Sequence, residues 1–129
     1  MVPRVAVQQM VETDAELLEI GVQRVYGSNS VDSAEEDCFI ILHWEATTRA
    51  FGQRGSTVLT AWAHDRDRDY TRIDRVLRRL RAIFAEAVHV PGADGVTLTV
   101  ATWAGDSDDL VDDGYGTITR NSSFIIVAR

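Results

Sequence analysis

The sequence has no lysine, one cysteine and two prolines, and none of its apolar runs approaches the length of a membrane span. Each shortage excludes something. Without lysine, the phosphate-binding loop of nucleotide hydrolases cannot be built; neither the glycine fingerprint of dinucleotide-binding folds nor a Gly-x-Ser-x-Gly nucleophile elbow is present. A single thiol cannot close an internal disulfide. Cys38 also stands among apolar residues, where a buried, inert thiol is expected, so the chain is read as independent of an oxidising compartment. The apolar stretches, residues 39–42 among them, are far short of the roughly 20 residues that cross a bilayer. No basic-apolar-small leader pattern opens the chain either, so a cytosolic setting without a membrane is expected. The sequon Asn121-Ser122-Ser123 is accordingly read as strand sequence and not as a glycosylation site.

Metal-binding and catalytic patterns are also missing. His43, His64 and His89 have no partner at helical spacing and no second cysteine to complete a zinc site, so solvated or core histidines are expected. The run from Asp106 to Gly114 invites a calcium reading, but Leu110 and Val111 fall where a calcium loop needs a ligand and a glycine, and Thr117 replaces its closing glutamate. Paired carboxylates occur only in glycine-flanked loops, where desolvation cannot raise a pKa. The expectation is a protein with no catalytic residues, no cofactor and no metal.

What is present suits one folded domain over residues 1–129, because 45% hydrophobic residues, with three Trp, three Tyr and four Phe, can bury a core without cross-links. Twenty acidic residues against thirteen basic ones, all arginine, give a net charge of −7, which opposes the phosphate neutralisation that duplex wrapping requires.

Along the chain, Val5, Met10 and Val11, then Ala15, Leu17 and Leu18, read as two short helical pieces broken near Thr13-Asp14, either of which can cap the second; Gly21 ends it. A loop follows through Asp37. Residues 38–46 (CFIILHWEA) and 56–64 (STVLTAWAH) are β-rich and read as a hairpin joined by the polar residues 47–54. From Asp69, a plausible N-cap, Ile73, Val76, Leu77, Leu80, Ile83, Phe84 and Ala87 recur at spacings of three and four, which predicts a long amphipathic helix stopped by Pro91-Gly92. Residues 96–103 and 117–127 read as two more strands, joined by a loop over 105–116 with five aspartates. The expected fold class is therefore α+β, a mainly antiparallel sheet of about four strands with the long helix packed on one face and a short N-terminal helical segment. Trp44, Trp62 and Trp103 fall on three of these strands, so one sheet face is expected to be more apolar than a single helix can hide, with partner subunits as its cover.

The RVYGSNS turn after the first helical region (24–30), the strand CFIILHWE, the strand end TAWAHDRD (60–67) before the long helix, and DDGYGTITR (112–120) leading into the last strand together resemble the small tail-terminator and tail-completion proteins of long-tailed bacteriophages. The resemblance runs over nearly the whole chain; the lysine-free composition and the long acidic loop depart from it. It implies a structural protein of the virion, assembled in the host cytoplasm. Such a protein forms a ring with copies of itself, usually a hexamer, that caps the tail tube, stops its polymerisation and meets the head-completion proteins, while DNA passes through the lumen without specific binding. A neighbouring head-tail joining protein and, from another class, a small-ligand binding module or a metal-dependent enzyme are the alternatives. Expected contact residues for sister copies or partners are Trp44, Arg49, Phe51, Arg54, Trp62, Arg75, Arg78 and Arg79. Asp106, Asp108, Asp109, Asp112 and Asp113 are expected to face the lumen or a docking surface.

Overall fold

The computed structural model describes residues 2–27, 34–45 and 56–129. Among these residues three helices, α1 (Arg4–Glu12), α2 (Ala15–Ile20) and α3 (Tyr70–Glu86), accompany seven strands: β1 (Arg24–Tyr26), β2 (Cys38–Trp44), β3 (Ser56–Asp65), β4 (Val90–Pro91), β5 (Thr97–Asp106), β6 (Leu110–Asp112) and β7 (Thr117–Ala128). The fold is α+β. All seven strands form one sheet in the order β1-β2-β3-β7-β5-β4, with β6 paired to the start of β7. Two expectations need correction. The sheet has seven strands and not about four, and it is mixed, because β1 runs parallel to β2 while every other pair is antiparallel. The aspartate-rich segment is likewise not all loop, since Leu110–Asp112 pairs with Thr117–Thr119. Strands of two or three residues are too short to carry a hydrophobic period, and only their neighbours define them.

Local chemistry sets the helix boundaries. Asp14 caps α2 by accepting the Leu17 N–H at 3.0 Å, and Gly21, at φ +123°, ends it in a conformation a side chain disfavours. Asp69 caps α3, accepting the N–H groups of Thr71 and Arg72. Asp14 also takes a two-pronged bond from Arg79 (3.0 and 2.7 Å), which ties α2 to α3 and holds its carboxyl below the usual range. Asp14→Ala should cost about 2 kcal/mol, roughly half from the lost cap and half from the lost charged bonds. Asp14→Asn, which can still cap, should recover the first half in urea titrations.

The antiparallel registers assign each residue to a face. Cys38, Ile40 and Leu42 of β2, Leu59, Ala61 and Ala63 of β3, and Ile118, Phe124 and Ile126 of β7 share one face and are buried under the helices. Ile73, Val76, Leu77, Leu80 and Phe84 of α3 fill the space above them, with Phe84 and Phe124 in ring contact at 4.3 Å. Helix α1 touches both β1 and β5, which stand far apart in the strand order, so the sheet curls around its helical layer. All three helices contribute to this one core, and no described helix lies on the other face of the sheet.

Candidate functional site

The helix-free face is the candidate site, and it divides into two regions. At one end Phe39 and Ile41 of β2, Trp62 and His64 of β3, Tyr26 of β1 and Tyr115 in the β6–β7 turn form a second, smaller cluster. Their shared face follows from β-strand alternation, because Phe39 pairs with His64 and Ile41 with Trp62. His64 lies flat on Phe39 (4.7 Å between ring centres, 4° between planes) with Tyr115 edge-on at 5.3 Å, and its Nδ1 is 2.8 Å from the Thr117 hydroxyl. Burial pushes the His64 pKa down to about 4, outweighing the Asp112 carboxylate, which acts in the opposite direction. The imidazole is therefore neutral near pH 7.

Arg66 holds this end together. Its guanidinium donates to the carbonyls of Tyr115 (2.7 Å), Ala34 (2.5 Å) and Glu36 (3.4 Å), drawing two separate chain segments over the end of β3. Nearby, the Tyr26 hydroxyl donates to Glu36 at 2.6 Å; burial and that bond raise the phenol's pKa, and the bond lowers the carboxyl's. Between these supports runs an open groove lined by Ile41, His43, Trp62, His64, Asp112 and Tyr115.

The second region is an apolar patch. Val58 opposes Ile125, and Val100 opposes Val127, so four aliphatic side chains from three neighbouring strands lie together. Val100 is 42% exposed and Ile125 is 37% exposed, and no described element packs over them. At the sheet margin beside the patch, β4 pairs only with Thr97 and Leu98, and beyond Thr99 no described strand pairs with the outer edge of β5. At the opposite margin the Gln8 side chain of α1 donates to the Val25 carbonyl of β1 at 2.7 Å, so that part of the edge is covered. Two irregularities in the β5–β7 register, between Leu98 and Val100 and between Trp103 and Gly105, twist the open edge, as bulges do at sheet borders.

The expected contact residues are not gathered in one place. Trp62 lies in the groove, whereas Trp44 is half-buried on the helical face with the Arg4 guanidinium over its ring at 5.9 Å. Trp103, also on the helical side, is 47% exposed, with its indole N–H bonded to Asp106 and Ser122 and Arg81 over its ring. Arg75 and Arg78 project from α3 into solvent, while Arg79 is taken up by Asp14 and Glu16. Arg49, Phe51 and Arg54 lie outside the described residues. The chain matches no family model and no curated protein. The aspartates of 106–113 likewise do different jobs. Asp106 accepts from Trp103 and Ser122, Asp109 lies 3.6 Å from Arg120, and Asp112 accepts the Tyr115 N–H, leaving Asp108 and Asp113 exposed. Arg120 also bonds Asp74 of α3 and the Ser107 carbonyl, so internal cations take up part of the loop's charge.

Among the described residues no group of three or more His, Cys, Asp or Glu side chains could hold a metal ion. Cys38 is fully buried on the helical face, and burial raises its thiol pKa to about 11, so it is no nucleophile. Sequence reasoning missed the His64–Phe39–Tyr115 cluster. The alternation in residues 39–43 and 62–64 was the available signal, but it places the rings together only once the β2–β3 register is known.

Proposed function

We propose that the protein is a tail terminator of a long-tailed bacteriophage, a ring of identical copies, six by the resemblance of its sequence, that caps the tail tube, stops its growth and meets the neck proteins. The observation that carries this reading is the Val58–Val100–Ile125–Val127 patch, which no described element covers, beside a β5 edge that no described strand pairs. An exposed aliphatic surface next to free backbone donors and acceptors favours association with other chains, and a head-to-tail contact between identical copies closes into a ring when its rotation closes. The excess of acidic over basic residues adds support, because a lumen of the same sign as DNA lets the duplex pass without adhering.

Native mass spectrometry and negative-stain imaging of the purified protein test this directly. Rings with a central hole, together with tail tubes that stop growing when the protein is added, are the expected result. A strict monomer at high concentration that leaves tube growth unchanged overturns it. Binding to the portal side without capping tubes would move the protein to the neck.

A further inference from the structure

The groove on the helix-free face has the chemistry of a receptor for an arginine side chain. Trp62 and Tyr115 supply aromatic surface, and Asp112 supplies a carboxylate whose Oδ1 accepts the Tyr115 N–H at 3.1 Å. A planar guanidinium uses both at once, stacking on a ring and bonding a carboxylate through its fork of N–H groups, which an ammonium does less well. The neighbouring cation does not compete for the carboxylate, because the Arg66 guanidinium is occupied by three backbone carbonyls. His64, neutral near pH 7 and bonded to Thr117, brings no opposing charge.

The chain also carries a matching donor. Arg75 and Arg78 are exposed on the outer side of α3, and neither forms an ion pair among the described residues. Glu16 and Glu19 line the depression beside them, but Glu16 is engaged by Arg79, and Glu19 reaches neither arginine. The helical layer separates these arginines from the groove, so donor and receptor occupy opposite faces of one molecule. They cannot meet within a chain, but they can meet between two.

We infer that Arg75 or Arg78 of one copy docks into the Trp62–Tyr115–Asp112 groove of the next, giving a head-to-tail contact that leaves a donor free at one end and a receptor free at the other. The inference rests on the self-association proposed above and names the residues that make it. It also predicts directionality, since a heterologous contact propagates until it closes on itself.

Two defective variants and their mixture provide the test, read by sedimentation velocity at low salt. Asp112→Asn retains an acceptor for the Tyr115 N–H and loses only charge, so it should weaken self-association about tenfold. Asp112→Arg should abolish it, as should Arg75→Ala combined with Arg78→Ala. Asp112→Arg retains good arginines and the double variant retains a good groove, so their equimolar mixture should form a two-chain species and nothing larger. Thermal melting confirms that each variant is folded, and Asp112→Asn remains decisive if Asp112→Arg is not. Variants that assemble like the wild type, or a mixture that stays monomeric, overturn the contact while leaving the ring itself standing. A wild-type chain that never associates overturns both. A groove variant that forms normal rings but no longer stops tube growth would assign the groove to a tube subunit and overturn the contact between copies.

Discussion

Arg72→Met should lower the stability of the folded chain by about 3–5 kcal/mol, the typical cost of stranding a buried charge. The charge in question is Asp65, which is 0% exposed and lies at the end of β3 on the helical face. Arg72 reaches it from the first turn of α3 with two bonds of 2.7 Å, and a further contact of 3.2 Å to Asp67 completes the fork. These bonds raise the arginine's pKa, so the guanidinium remains charged. A further lone pair of Asp65 accepts the Asp67 N–H at 2.8 Å, which shapes the turn between β3 and α3. Removing the cation therefore leaves a desolvated carboxylate whose remaining backbone bond cannot compensate. The double variant Asp65→Asn with Arg72→Met, in which no charge is left behind, should recover most of the loss. Urea titrations of the two variants check this, and a single variant as stable as the wild type would show that the pair is not desolvated.

Below neutrality, stability should fall because of His64. Its folded pKa of about 4 lies beneath the ordinary 6.5, so between these values the unfolded chain binds a proton that the folded chain refuses. The stabilising contribution is fully present above pH 6.5 and is lost as pH falls from there to about 4. At 1.4 kcal/mol per pH unit the total is about 3 kcal/mol. Asp14 and Glu36, whose folded pKa values are lowered by their partners, add further losses only at the acid end of this window, as they are protonated. His64→Gln, neutral throughout, should give a flat stability curve from pH 6.5 to about 4.5. A variant that tracked the wild type across that range would place the proton elsewhere.

How much was legible in the sequence can be judged element by element. The spacing of Ile73, Val76, Leu77, Leu80, Ile83 and Phe84 repeats with the helix period, and those side chains are buried in α3. Asp69 and Asp14 cap through their own side chains to amides two or three residues ahead, which is chemistry written within a few residues. The β1–β2 pairing was not legible, because a parallel partner lies far along the chain and Arg24–Tyr26 carries no period of its own. Nor was the internal use of Asp106, whose partners Trp103 and Ser122 stand on two strands brought side by side only by the register of β5 and β7.

The sequence by itself determined the helices and their caps, the long strands, and the absence of an internal disulfide and of a lysine-dependent phosphate loop. Those properties depend on residue type and on neighbours a few positions away. Only the tertiary structure decided that seven described strands share one sheet, that His64 is neutral between Phe39 and Tyr115, that no described element covers the valine–isoleucine patch, and that Asp112 faces a groove while Asp106 faces an indole. The reason is strand register. Shifting a pairing by one residue exchanges the two faces of a strand, and register is fixed by contacts distant in the chain.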